Sequence, residues 1–451
     1  MDIPCPKDIT SITNALFLEH HIQRIITQQE IRGVRFNTQR GRFYIHALKE
    51  KQVRLYQEIR PYLSMEMYVP YDRPVLKPFR KDGNHTATVS RWYAETGVPD
   101  IGGAFTRIEY AEPDLGKRAR IVGQLVRLGW KPVHFTPKGM PRLTYEGAPC
   151  PSLGTIGHSI GPAIQAWYLY RHRESQIQGF VNAVRSDGRI PAAAITIGTP
   201  TYRFRHRIVV NLPRTGTLFG RQMRSLFMAS EGRVLVGHDA KGLELRTLAH
   251  YINDKDFTRE VIHGDPHTKN ERDAGLPSRD DAKTFIYAFI YGAGDRKLGE
   301  IVGKGRGQGR TLRRRFLAAN KGLADLIEKT QRAAARGYLV SLDGRKITLR
   351  KDKFTGEIQT HKGLNSLNQT AGAVVMKWSM YLLDKWVRDM GLDVWKVIDM
   401  HDEAQADVLP QDVPVYSALA KQSIIEAGKL LNLNVPLDAD VKVGRTWAET
   451  H

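Results

Sequence analysis

The chain of 451 residues has only two cysteines, Cys5 and Cys150, and neither stands in a metal-ligand spacing. That argues against a disulfide-stapled secreted scaffold and a thiolate zinc site, and it points to a reducing compartment. Long apolar runs are missing too. No stretch approaches the roughly 20 residues of a membrane-spanning helix, so no membrane partner is expected. The N-terminus, MDIPCPKDITS, lacks an apolar signal core, and its two aspartates argue against a transit peptide. Acidic residues are in short supply: 47 Asp and Glu face 68 Lys and Arg, for a net charge of +21. Such an excess suits a polyanion, most commonly nucleic acid. Internal repeats and long disordered linkers are also absent. The length suffices for two or three subdomains around a large core.

The most informative stretch is SRDDAKTFIYAFIYG, residues 278–292. Ser278 suits a helix N-cap, Asp280 and Asp281 suit the first turn, and Gly292 suits the end. Arg279, Lys283, Tyr287 and Tyr291 recur every fourth residue and share one face. Two cations followed by two rings could hold a triphosphate and lay its sugar and base over the aromatics. A solvated basic turn followed by two core tyrosines would give the same pattern.

Around this helix the periodicity predicts two helices over about 11–30 and 38–62, broken at Gly33–Asn37. Residues 68–103, rich in Pro, Gly and basic side chains, read as a basic loop or small insertion. Helices are expected at 119–128, 160–186, 241–252, 322–336, 364–390 and 412–432. Thr201–Arg207 reads as a strand with its charges on one face, and 303–315 as a mobile basic loop. A hairpin is expected over Gly337–Arg350, turning at Asp343-Gly344.

Residues 233–238 form a buried strand that delivers Asp239 to its end. Strands 394–399 and 403–409 bracket His401-Asp402 at a hairpin tip. If these strands share a sheet, Asp239 and Asp402 meet at its rim and offer hard oxygen ligands to Mg²⁺. Two such ions would activate a 3′-hydroxyl and stabilise departing pyrophosphate. Each aspartate alone could equally be a turn residue or a cap. The His238-Asp239, His401-Asp402 and His263/Asp265/His267 groups also admit a metal phosphohydrolase, though that reading leaves the 279–291 stripe without a role. A basic nucleic-acid-binding protein without catalysis remains a third reading.

HDAKGLELR at 238–246, RDDAKTFIYAFIYG at 279–292 and MHDEAQADV at 400–408 occur in this order. Together they resemble the three polymerase motifs of the family A DNA polymerases, most closely the phage branch that includes a thioredoxin-recruiting member. The likeness extends to HGDPHTKN at 263–270, to Asn365 and Gln369, and to the terminal GRTWAETH. It implies an α+β, right-hand architecture with an antiparallel-sheet palm (186–250 and 362–451), helical fingers (251–361) and a helical thumb (31–185) with a basic insertion at about 68–103. A helical arm (1–30) precedes the thumb. It implies two Mg²⁺ ions bound by Asp239, Asp402 and the Ala240 carbonyl. Arg279, Lys283 and His267 would bind the triphosphate of a deoxynucleotide, with Lys283 placed to protonate the pyrophosphate. Tyr287 would pack on base and sugar, and Glu244, bonded to the Tyr287 hydroxyl, would exclude a ribose 2′-OH, which argues against a single-subunit RNA polymerase. Tyrosine rather than phenylalanine at 287 resembles members that accept dideoxynucleotides. Tyr291 would stack near the templating base, and Arg203, Asn365, Gln369 and His401 would touch primer–template DNA. The family's usual Thr-Gly-Arg is Thr201-Tyr202-Arg203 here. No Asp-x-Glu constellation precedes the motifs, so a separate 3′→5′ exonuclease subunit is the expected source of proofreading, beside a processivity factor. The resemblance places the protein in the cytoplasm of a phage-infected host.

Overall fold

The computed structural model describes residues 12–68, 74–97, 103–106, 109–145, 148–157, 160–210 and 212–451. The chain divides into two compact units: residues 42–178, and a larger unit formed by residues up to 41 together with 179–451. The larger unit carries every candidate site residue. Its principal elements are α1 (Ile12–Arg32), β1 (Val234–Ala240), α2 (Leu243–Ile252), α3 (Pro266–Ala274), α4 (Arg279–Ile290), β2 (Tyr338–Val340), β3 (Lys346–Thr348), α5 (Gly363–Asp389), β4 (Val394–Met400), β5 (Glu403–Val408), α6 (Val413–Leu430), β6 (Ala439–Gly444) and α7 (Trp447–Thr450).

Four strands form one antiparallel sheet in the order β4-β5-β1-β6. Val236, Ala406 and Val408 bury one face against Leu383 of α5 and against Tyr416 and Ala420 of α6. Each large apolar side chain buried this way contributes about 1.5–3 kcal/mol. The C-terminal helix α7 packs on the sheet through the fully buried Trp447 and through Thr450, whose hydroxyl donates to Gln405 at 2.7 Å. Gly237 is required there, because a Cβ would lie 2.5 Å from the Gln405 side chain and 2.8 Å from the Thr450 carbonyl. With both faces covered, every residue of β5 is buried. EAQADV alternates polar and apolar residues, and its polar face is buried as well: Glu403 meets Trp447 and His451, Gln405 meets Thr450, and Asp407 meets Ser230.

Helix α1 joins this core through Leu18, Ile22, Ile25 and Ile26, which meet Val374, Trp378 and Tyr381 of α5. The helix is as expected, and Leu16, outside the buried stripe, is 59% exposed. Glu19 on the same helix accepts from Lys377 Nζ at 2.7 and 2.8 Å, an ion pair beneath the surface of α5.

Helix α4 begins and ends as its residues predict. Ser278 Oγ accepts from the Asp281 amide at 3.1 Å, and Gly292 is left-handed with φ +78. Its apolar face stacks Phe285 and Phe289 on Phe316, at 5.4 and 5.1 Å between centroids. Phe316 belongs to a helix, Arg306–Ala319, where a mobile basic loop was expected. Leu312 and Phe316 anchor it, while Arg313 donates to Asp295 at 2.7 Å. Gly309 permits close packing: a Cβ there would lie 1.7 Å from the Asp295 carbonyl. The strand expected over 201–207 is also corrected. Only Arg205–His206 pairs, with Ala194–Ile195, and Tyr202 is left-handed.

The unit 42–178 has its own core of Leu115, Ile121, Leu125, Trp130, Leu153 and Ile164. Trp130 donates to Ser152 at 2.9 Å, and Cys150 is buried and free. The region expected as a basic insertion contains a helix, Ala87–Thr96, while 69–73 and 98–102 lie outside the described residues. Among the described residues, no helix is long and apolar enough to cross a membrane.

Candidate active site

Asp239 and Asp402 meet where β1 runs beside the β4–β5 hairpin. Asp239 stands opposite Glu403, and the Ala240 amide donates to the Asp402 carbonyl at 3.1 Å. The hairpin can turn in two residues because His401 takes φ +62. Both aspartates lie at the rim with their side chains open to solvent on one side. Partial withdrawal from water pushes Asp239 up to about 7, helped by the carboxylates of Asp402, Glu403 and Asp440. Asp402 is raised by the same withdrawal, with Glu244 and Glu403 adding to it and Arg203 opposing. Two crowded carboxylates held against their ordinary ionisation suit a cation.

Their neighbours are otherwise engaged. Glu403 accepts from Trp447, from Gln405 at 2.8 Å, and bonds the His451 ring at 2.8 Å. Burial pushes its carboxyl up, but His451, Trp447 and Arg224 bring it below the ordinary value. His238 points into the protein, where burial and then Lys396 push it down to about 4. Being buried on the face of β1 opposite to the exposed Asp239, it does not join Asp239 as a His-Asp pair. His263, Asp265 and His267 form no ligand cluster, and among the described residues no group of three or more His, Cys, Asp or Glu could hold a metal. Asp239 and Asp402 offer hard oxygen ligands of the kind Mg²⁺ would take, with other positions left to water and phosphate oxygens.

Glu244 occupies the first turn of α2, beyond the left-handed Gly242. Arg203 donates to it, and the Tyr291 hydroxyl lies 2.8 Å from each of its oxygens. The expected partner was Tyr287. The structure gives the bond to Tyr291 instead, because Tyr291 sits one turn closer to the start of α2. Tyr287 remains half-buried; burial, then Glu244 and Asp402, raise its hydroxyl.

At the other end of α4, Arg279 pairs with Asp265 at 2.6 Å. Asp265 also caps α3, accepting from the His267 and Thr268 amides. His267 lies 6.1 Å from the Tyr287 ring, and its buried Nδ1 has no hydrogen-bond partner. Lys283 projects into solvent on the same face. The four-residue stripe thus joins the carboxylate rim to a cationic end.

Asn365 and Gln369 share a face of α5, and Thr201 Oγ1 donates to Gln369 at 3.4 Å. The His401 ring packs edge-on against His206 at 5.4 Å, and burial, then Arg203 and His206, push it below its ordinary value. Asn368 was not anticipated. Fully buried, it donates to the Glu244 carbonyl at 3.0 Å and accepts from Thr247 at 2.8 Å, locking α2 to α5. A polar residue between Leu367 and Ala371 was its only signal in the sequence.

Residues 152–449 match the family model for DNA polymerase family A. The chain is 32% identical to the DNA-directed DNA polymerase of Escherichia phage Phieco32, across 96% of this chain and 98% of that protein. It is 30% identical to the DNA-directed DNA polymerase of Escherichia phage T7, across 83% of this chain but only 58% of that relative. The fold is similar to the POL domain of Pol1 from M. smegmatis, in complex with DNA primer-template and dNTP, with TM-score 0.73, 20% identity, and coverage of 96% of this chain and 70% of that one. The chain belongs to DNA polymerase family A, among the phage-type DNA-directed DNA polymerases.

Proposed function

We propose that the chain extends a DNA primer by template-directed addition of deoxynucleotides in phage replication. The observation that carries this reading is the meeting of Asp239 on β1 with Asp402 in the β4–β5 turn, linked through Arg203, Glu244 and Tyr291 to α4. Two Mg²⁺ ions held by Asp239, Asp402 and the Ala240 carbonyl would acidify the primer 3′-hydroxyl and neutralise charge on the leaving pyrophosphate. Arg279, Lys283 and His267 bind the triphosphate, and Lys283 supplies a proton to the pyrophosphate. Tyr287 orients the sugar and base. Glu244 closes the space a ribose 2′-hydroxyl would need. Arg203, Asn365, Gln369 and His401 hold primer and template, and Tyr291 marks the templating position. The palm (186–250, 362–451), fingers (251–361) and thumb (31–185) are assigned on this reading.

We assign proofreading to a separate 3′→5′ exonuclease subunit, and co-purification from infected cells without any nuclease would remove that assignment. Primer extension with deoxynucleotides, ribonucleotides and Mg²⁺ tests the main reading, with Asp402→Ala as control. Extension by deoxynucleotides alone, lost in the variant, is the expected result. Phosphate release without primer growth would favour a phosphohydrolase.

A further inference from the structure

Tyr202 takes φ +58, a backbone conformation that glycine adopts freely and a tyrosine does not. The loop around it is tight: the Tyr202 amide donates to the Thr199 carbonyl at 3.0 Å, and Thr199 Oγ1 donates to the Arg203 carbonyl at 3.0 Å. Those two bonds use no side chain at 202, so a glycine would satisfy them as well. The tyrosine adds a ring held at two points by the β2–β3 hairpin. Its hydroxyl donates to the Lys346 carbonyl at 2.8 Å, and the Arg345 guanidinium lies 4.7 Å from its ring centroid.

Arg345 is a firm anchor. It is 3% exposed, donates to Asp343 at 2.8 and 3.0 Å, and also reaches Glu19. Glu19 in turn takes Lys377 of α5, whose Nζ also donates to the Thr196 carbonyl at 2.9 Å. The cluster of Glu19, Asp343, Arg345 and Lys377 thus connects α1, the hairpin and α5 to one half-buried ring. The next residue along the chain is Arg203, which reaches Glu244.

We infer that Tyr202 is a positioning residue: through its ring the β2–β3 hairpin fixes the direction in which Arg203 meets the primer–template. This rests on the assignment of Arg203 as a DNA contact. The strained backbone is retained because the ring's two contacts tie the loop to the rigid cluster.

The test uses the full-length protein carrying Tyr202→Gly, Tyr202→Phe, Arg203→Ala and the Tyr202→Gly/Arg203→Ala pair. Primer–template KM, nucleotide KM at saturating DNA, kcat and Tm are measured for each. Tyr202→Gly is expected to keep or raise Tm, since glycine relieves the strain. Its primer–template KM should rise about fivefold, the scale of a lost hydrogen bond and an exposed cation–π contact. Nucleotide KM should change less than about twofold on the same argument, and Tyr202→Phe should fall between. The double variant should be no worse than Arg203→Ala alone, because Tyr202 acts through Arg203. Wild-type DNA binding by Tyr202→Gly beside a defective Arg203→Ala would overturn this inference alone. Independent, multiplying defects in the double variant would do the same. An Arg203→Ala protein that binds DNA normally would overturn the DNA role of Arg203 and this inference with it.

Discussion

The Tyr291 hydroxyl and the Arg203 guanidinium share one carboxylate, that of Glu244, with Tyr291 at 2.8 Å from both oxygens. The end of α4 is thereby latched to the start of α2. On the proposed reading, a nucleotide seated over Tyr287 would meet Glu244 already oriented. Glu244→Ala is expected to raise ribonucleotide kcat/KM relative to deoxynucleotide by at least about tenfold, by opening space beside the sugar. Tyr291→Phe leaves Arg203 holding the carboxylate, so selectivity should stay within about threefold of wild type. Single-nucleotide insertion kinetics decide. Unchanged selectivity in Glu244→Ala would remove its gating role.

Asp239 and Asp402 repel one another, and in metal-free protein that repulsion opposes folding. Asp402→Asn should therefore abolish incorporation, by about 10³-fold or more, while leaving Tm equal or higher. The sign with pH follows from a folded value for Asp239 raised to about 7 against an ordinary 3.8. Its favourable contribution is whole below 3.8 and lost as pH rises through 7. Added Mg²⁺ should then raise Tm more at pH 8 than at pH 6, and not at all in Asp402→Asn. A variant that loses Tm without metal would show instead that Asp402 is structural.

How much of this was readable beforehand depended on the range of each interaction. The α4 cap, its stripe and the Asp402 hairpin are local, and the chain states them within fifteen residues. Strand β6 places its Asp440 opposite Asp239, and its alternation of Ala439, Val441 and Val443 with Asp440 and Lys442 is a strand signal, but one only five residues long. The Tyr291–Glu244 bond spans 47 residues, and which tyrosine reaches depends on the rotation of α4 against α2, set by Phe285 and Phe289 on the opposite face. Tyr202 stood out only as an oddity, a large residue where the family usually has glycine. Its partners lie more than a hundred positions away.

Arg279 is already neutralised by Asp265, whose carboxyl is held well below its ordinary range chiefly by that arginine, with Thr268 and the α3 amides assisting. On the proposed reading, a triphosphate would compete with this carboxylate for Arg279. Asp265→Asn keeps an oxygen for the α3 cap yet releases the charge, so nucleotide KM should fall about threefold. Arg279→Ala should raise it by about tenfold or more. A higher KM in Asp265→Asn with unchanged Tm would mean that the pair assists binding rather than competing with it.

Behind the rim, Asp399 is 4% exposed and bonds Lys396 at 2.7 Å, with His206 at 3.8 Å. Burial alone would push its carboxyl up, but Lys396 and His206 outweigh burial and hold it at about 2. The depressed value gives the folded state a contribution that is whole above 3.8 and lost as pH falls toward 2. Its scale is about 2 kcal/mol. His206 packs on His401, so loss of this pair should loosen the hairpin that carries Asp402. Wild-type protein should lose Tm steeply between pH 4 and 2.5, and Asp399→Asn should start lower at pH 7 because it strands Lys396, at a cost of about 3 kcal/mol. The Lys396→Met/Asp399→Asn pair should recover much of that loss and show a flatter acid profile. Parallel acid profiles for wild type and the double variant would place the acid sensitivity elsewhere in the chain.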